Sequence, residues 1–165
     1  MARLNTQQTR AMILTRYHRL VLVRGPPGTG KTQLSAAVIN AWARIVDNME
    51  IVIAAGPSNT ATDNLLDRIA GTVARDYQLG RLGEGPSVFD PARAEYSLNR
   101  QAKTALGADA KKQSINRHIK DSIAQRRHHI LFATYMKSAE LIGTNPLFIL
   151  ADEVGQATEP TTAVL

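Results

Sequence analysis

Gly25-Pro26-Pro27-Gly28-Thr29-Gly30-Lys31-Thr32 fills every fixed position of a G-x-x-x-x-G-K-[ST] loop, and its flanks decide the fold class. Leu20-Val21-Leu22-Val23, just before it, is a short apolar run that reads as a buried strand. Leu34, Val38, Trp42 and Ile45 follow at helical spacing. Strand, glycine turn and helix in that order let successive backbone N–H groups curl around a phosphate, and the helix N-terminus adds its partial positive charge. Gly25, Pro26, Pro27, Gly28, Thr29 and Gly30 form the cradle. Lys31 is then placed to reach the β- and γ-phosphates of a nucleotide, and the Thr32 hydroxyl to hold Mg2+. A glycine-rich turn without a ligand is the alternative, and the strand-to-helix context speaks against it.

Three further apolar runs, Ile51 to Ala55, Ile130 to Ala133 and Leu147 to Ala151, read as parallel strands buried on both faces. A helical pattern lies between the first two, from Ala61 to Val73, with Leu65, Leu66, Ile69 and Val73 on one side. Alternating strands and helices predict an open α/β sheet whose ligands sit at the carboxyl ends of the strands. The Gly/Pro-rich stretch from Leu79 to Pro91 reads as loop, and Ala92 to Arg127, polar and Ala-rich without a strand pattern, as a mostly helical insertion.

Asp152-Glu153 stands at the end of the last apolar run. A phosphate-loop enzyme needs one carboxylate at a strand tip to hold Mg2+ and another to activate the attacking water, and adjacent acids on a strand diverge to serve both ends. An Asp-Glu pair alone is common and usually just solvated; behind an apolar pentad, in a chain with this loop, it points to the site.

Asp152-Glu153-Val154-Gly155-Gln156-Ala157-Thr158-Glu159-Pro160 resembles the D-E-A-x-Q-x-x-E-P motif of superfamily 1 helicases of the Upf and senataxin type. Leu4-Asn5-Thr6-Gln7-Gln8 resembles that family's adenine-recognition segment, Gly56-Pro57-Ser58-Asn59-Thr60-Ala61-Thr62-Asp63-Asn64-Leu65 its motif Ia, and Phe132-Ala133-Thr134 the strand end of its motif Ic. With the phosphate loop these make five collinear matches, and only the basic middle lies outside them. Val154, Gly56 and Gln7 depart from the usual alanine, alanine and serine, outside the charged chemistry.

The resemblance implies a RecA-like P-loop domain using ATP and Mg2+. Lys31, Asp152, Glu153 and Gln156 would be its catalytic set, Thr32 and Asp152 its metal ligands, and Ser58, Asn59 and Thr134 its contacts to single-stranded RNA or DNA. A glutamine amide offers a donor and an acceptor that complement adenine, so Gln8 is expected to favour ATP; its alternative role is a polar helix start. Ser58 and Asn59 would equally cap the helix that follows them. Gln156 would report the state of the γ-phosphate. The family closes its ATP site with a second motor domain, and it places a further strand between the loop strand and the Asp-Glu strand. The sequence stops a few residues after the Asp-Glu motif, so the expectation is a domain truncated after that strand and inactive by itself, with the missing motor domain as a partner. Two functional readings stay open: an ATP-dependent helicase or translocase motor in the intact protein, or a remnant that binds nucleotide or nucleic acid without turnover. A loader-type ATPase of another P-loop class fits the Ser-Asn and D-E-x-x-Q motifs poorly. Nothing identifies a reader of the 2′-hydroxyl, which leaves RNA and DNA equally open.

Composition sets the outer bounds. The chain has 165 residues, room for one domain with a real core, and carries a net charge of +6. From Arg75 to His128 it has eleven Lys or Arg against six Asp or Glu, which suggests a polyanionic partner or an ordinary solvated helical surface. It contains no cysteine, which excludes disulfides and cysteine-ligated zinc and suits the cytoplasm or nucleus. No apolar run reaches membrane-spanning length, so no membrane partner is expected. Arg3, Arg10, Arg16 and Arg19 without an acid resemble a transit peptide, but the same segment holds Gln8 and reads as working sequence. His118, His128 and His129 lack the cysteine or carboxylate pattern of a metal site, and Trp42 reads as core.

Overall fold

The computed structural model describes residues 4–45, 50–72, 77–83 and 92–156. Helices α1 (Thr6–Tyr17) and α2 (Lys31–Ala43) come first, then strand β1 (Val52–Gly56) and helix α3 (Asn59–Ala70). Strand β2 (Leu79–Arg81), helices α4 (Leu98–Leu106) and α5 (Lys112–Ala124), strand β3 (Ile130–Thr134), the short helix α6 (Tyr135–Ser138) and strand β4 (Phe148–Ala151) complete the order. The four strands form one parallel sheet, β2-β3-β1-β4. Both central strands are continuously apolar because helices cover both faces. On one face Ala36, Ile39 and Ala43 of α2 and Leu65, Leu66 and Ile69 of α3 pack on Val52, Ala54, Ile130 and Phe132. On the other, Leu98 and Ala102 of α4 and Ile115, Ile119 and Ile123 of α5 pack on Ile51, Ile53, Leu131 and Ala133. The alternation Ile51/Val52/Ile53/Ala54 thus splits residue by residue between two cores, as a pleated strand requires. Each buried Val, Leu, Ile or Phe side chain here contributes about 1.5–3 kcal/mol, and truncating one such as Ile69 to alanine costs about 2–5 kcal/mol.

The middle of the chain is helical as expected, and its helices form the second layer of the sandwich. Three strand expectations need correcting. Leu147 to Ala151 carries a strand, but one without the burial on both faces expected of it, since Leu147 and Ile149 are 40% and 38% exposed. Leu20–Val23 forms no ladder among the described residues, and Leu20 and Leu22 are 86% and 82% exposed. An apolar run supplies strand propensity, but a strand also needs a neighbour for its N–H and C=O groups. Among the described residues β4 pairs with β1 alone, and none pairs with the run. Conversely, Leu79–Arg81, read as loop, is an edge strand with Leu79 opposite Ile130 and Arg81 opposite Phe132. Its central Gly80 is there for close approach: a Cβ would lie 2.9 Å from Leu131 Cδ2 and 3.0 Å from both His128 Cδ2 and Leu98 Cδ2. Val73, the fourth member of the α3 stripe, and the Gly/Pro run from 84 to 91 lie outside the described residues.

Trp42 is core, stacked on Phe148 at 5.0 Å between ring centroids, with its indole N–H donating to Thr15 Oγ1 at 3.1 Å. His128 is buried, hydrogen-bonded to Gln101 Oε1 at 3.0 Å through Nε2, and burial pushes its pKa down to about 4, with the charges of His129 and Arg127 adding. His129 Nδ1 accepts from the Gln78 N–H at 3.0 Å. His128 thus ties the segment before β3 to α4, and His129 ties the segments that lead into β2 and β3 to each other.

Candidate nucleotide and nucleic-acid site

The phosphate loop leads straight into α2. Gly30 is the N-cap of that helix, with φ +81°, and contributes no side-chain cap, so the N–H groups of the first turn stay open to an anion. Gly28 also has positive φ, at +79°. The positive φ is what favours glycine at position 30; a Cβ there would also lie 2.8 Å from Gln8 Nε2, a side-chain tip that would have to move aside. Lys31 Nζ donates to the carbonyls of Gly25 at 2.8 Å and Pro26 at 3.0 Å, and Thr29 Oγ1 donates to Pro26 at 2.8 Å. The ammonium group thus lies over the mouth of its own loop. Thr32 follows in the first helical turn, half-buried.

Gln8 reaches this loop from α1. Its Nε2 donates to the carbonyls of Thr29 and Gly30, at 3.2 and 3.4 Å. Its Oε1 accepts from the Asn5 N–H while Asn5 Oδ1 accepts from the Gln8 N–H, both at 2.9 Å, which makes a capping box for α1. One glutamine therefore caps its helix and joins that helix to the loop.

At the far edge of the sheet Asp152 and Glu153 follow β4, and the Asp152 N–H extends the ladder to the Ala55 carbonyl at 2.9 Å. Burial pushes the Asp152 carboxyl above the usual carboxylate value. The Glu153 N–H, 3.1 Å from Asp152 Oδ1, opposes that shift, the Glu153 charge adds to it and the Lys31 charge also opposes it. Lys31 and Asp152 thus feel each other across the site. Glu153 is exposed, in the left-handed region at φ +57°, and Gln156 is exposed with its N–H on the Glu153 carbonyl at 2.9 Å. A hydroxyl on Thr32 and carboxylate oxygens on Asp152 are the hard donors that Mg2+ prefers, so these residues suit that ion. Residues 157–160 of the motif lie outside the described residues.

The third group sits on neighbouring strand ends. Gly56 of β1 is opposite Thr134 of β3, which brings Ser58, Asn59 and Thr134 together at the carboxyl edge. Ser58 caps α3 by accepting from the Ala61 N–H at 3.1 Å, and Thr134 caps α6 by accepting from the Lys137 N–H at 3.3 Å. The capping role expected as an alternative is thus filled, and each hydroxyl keeps its own proton to donate. Thr62 Oγ1 lies 2.8 Å from the Ser58 carbonyl and 3.3 Å from that of Ala133, tying the two strand ends together.

Two residues escaped the reading of the sequence. Tyr135, next to Thr134, donates from its hydroxyl to the Asp152 carbonyl, and Arg81, within the stretch read as loop, bonds Asp63 and Asn59. Neither stands at a motif position that carries chemistry; the only signal was an arginine among glycines and leucines at 79–83.

A family model described as an AAA domain matches residues 3–135. The chain is 27% identical over 180 residues to "Regulator of nonsense transcripts 1 homolog" of Arabidopsis thaliana, covering 95% of this chain and 14% of that protein. It is 29% identical to "Regulator of nonsense transcripts 1" of Caenorhabditis elegans, over 98% of this chain and 17% of the relative. Against "ATP-dependent helicase NAM7" of Saccharomyces cerevisiae it is 35% identical over 41% of this chain and 7% of the relative. The chain therefore spans less than a fifth of each of these relatives. The domain match runs from just before α1 to just past β3, well over half of the sequence, and the chain belongs to this AAA-domain family among the superfamily 1 helicases of the Upf and senataxin type.

Proposed function

We propose that the chain is the ATP-binding part of an ATP-dependent nucleic-acid motor. The observation that carries this reading is the shared sheet edge. Asp152 leaves β4 within electrostatic reach of Lys31, with Glu153 next to it in sequence, while Ser58, Asn59 and Thr134 leave the strand ends of β1 and β3. ATP would lie with its phosphates against Gly25 to Thr32, held by the open N–H groups of α2 and by Lys31, with Gln8 beside the base. Thr32 and Asp152 would hold Mg2+, whose charge offsets that building on the phosphate oxygens. Glu153 would take the proton of the attacking water, and Gln156, on the same turn, would follow the γ-phosphate. Ser58, Asn59 and Thr134 would donate to successive phosphates of single-stranded RNA or DNA, contacts that position a strand without reading its sequence. The names of the relatives, which speak of transcripts and of an ATP-dependent helicase, support ATP and nucleic acid as ligands. The setting we infer is the cytoplasm or nucleus, with a second motor domain. No helix among the described residues is long and apolar enough to cross a membrane.

A second reading, binding without turnover by this chain alone, is favoured by one observation: Leu20–Val23, which leads into the loop, pairs with no strand among the described residues. Phosphate release from Mg-ATP, with and without single-stranded oligonucleotide, separates the two. The motor reading expects stimulated release in the intact protein, abolished in Glu153→Gln with ATP binding retained. Unchanged release by Glu153→Gln would remove Glu153 from the mechanism.

A further inference from the structure

Arg81 heads the fully buried side chains, 1% exposed on the edge strand β2. A buried guanidinium is stable only when its charge is paired and its N–H groups are used. Nε donates to Asp63 Oδ1 at 2.9 Å, Nη1 to the Leu82 carbonyl, and Nη2 to Asn59 Oδ1 at 2.9 Å. Asn59 and Asp63 stand four residues apart on α3, so one guanidinium grips both. The grip on Asn59 has a chemical consequence. A planar amide carries its acceptor oxygen and its donor nitrogen on two different branches of one carbon, so fixing Oδ1 on Arg81 turns the Nδ2 hydrogens away from it. Among the described residues Nδ2 has no hydrogen-bond partner.

We infer that Arg81 is a positioning residue: it locks the Asn59 amide with its donor side outward, so that this side chain presents N–H groups, and never its carbonyl, to a phosphate of a single nucleic-acid strand. The inference rests on the reading that Asn59 contacts such a strand. Arg81 itself, buried and neutralised by Asp63, does not touch it. The same bonds explain an arginine on β2, where burial on both faces otherwise calls for an apolar side chain.

The test is fluorescence anisotropy of the full chain with labelled oligouridylate and oligothymidylate, alongside Mg-ATP calorimetry and thermal melting. Arg81→Lys keeps a charge for Asp63 but not the planar fork. It is expected to weaken strand binding by about three- to tenfold while Mg-ATP affinity holds, and Asn59→Ala to weaken strand binding similarly. In the double variant the weakening should equal that of Asn59→Ala alone, since Arg81 acts through Asn59. Additive effects, or unchanged binding in Arg81→Lys, overturn the inference and leave the strand-contact reading standing. Unchanged binding in Asn59→Ala, or a parent chain that binds neither oligonucleotide, overturns that reading and the inference with it. If Arg81→Lys does not fold, side-chain amide NMR of the parent decides: an Asn59 carboxamide held in one orientation, whose Nδ2 hydrogens shift when oligouridylate is added, supports the inference, and an amide averaged over orientations, or one whose Nδ2 hydrogens do not shift, overturns it.

Discussion

The hydroxyl of Tyr135 donates to the main-chain carbonyl of Asp152, so the residue that follows the Thr134 strand end is bonded to the backbone of the acidic motif. Tyr135 is buried, and burial together with the charges of Asp152 and Glu153 pushes its pKa up to about 12. Tyr135→Phe deletes the donor alone and is expected to cost about 1 kcal/mol at neutral pH. The pH dependence fixes the cause. The folded-state value lies above the ordinary 10, so the stabilisation is full below pH 10 and disappears as pH rises toward 12. Urea unfolding of parent and variant across that range should therefore show their difference shrinking above pH 10. A constant difference would mean that the hydroxyl is not buried against Asp152.

Lys31 is the cation that hydrogen-bonds the phosphate loop, on the carbonyls of Gly25 and Pro26, whereas Arg24 is exposed beside it. Lys31→Ala is expected to weaken Mg-ATP binding at least about tenfold, the value of one charge-assisted contact, and Arg24→Ala to leave it unchanged. Calorimetric titration reads both. Equal affinity for Lys31→Ala and the parent would contradict the assignment of the loop.

How much of this was legible in the sequence follows from what each motif depends on. Ile51 to Ala55 and Ile130 to Ala133 were readable because a strand buried on both faces must be apolar at every position, whereas Leu147 to Ala151 was readable as a strand but not as an exposed one. Leu20–Val23 has the same composition and no ladder, because pairing is a property of the neighbour and not of the run. β2 was hidden by Gly80 and Gly83, where glycine meant close packing against Leu131 in one case and a turn in the other. At the site, the glycines, Lys31 and Asp152 announce themselves through chemistry that tolerates few substitutes. Tyr135 and Arg81 act on a backbone carbonyl and on an amide, and their partners are distant in sequence, so no local spacing marks them.

Asp152 should show a conflict between stability and chemistry. Its folded-state pKa is raised, chiefly by burial, so the ionised form that Mg2+ needs is disfavoured in the fold. A raised acid stabilises most below its unfolded-state value, and that contribution disappears as pH rises through the folded-state value. Asp152→Asn, which cannot ionise, is thus expected to melt higher than the parent at pH 7, with the gain vanishing as pH falls toward 3.8. The same variant should lose Mg2+-dependent tightening of ATP binding. Melting curves from pH 4 to 8 test the first part, and a variant less stable than the parent at pH 7 would show that the Lys31 charge outweighs burial.

The basic surface makes the last prediction. α5 buries Ile115, Ile119 and Ile123 against the sheet and exposes Lys112 and Arg117, with Lys111 exposed at its N-cap. These charges face solvent on the layer that covers the second face of the sheet, so they can be changed without disturbing the core. If they meet a single strand, neutralising Lys111, Lys112 and Arg117 together should lower affinity and reduce the salt slope by about 0.7 for each phosphate that no longer meets a cation. Base preference should stay the same, because such charges position a strand without reading it. An ordinary solvated face predicts no change in either quantity. Anisotropy over a salt series decides between them: an unaltered slope in the triple variant would confine strand binding to the edge formed by Ser58, Asn59 and Thr134.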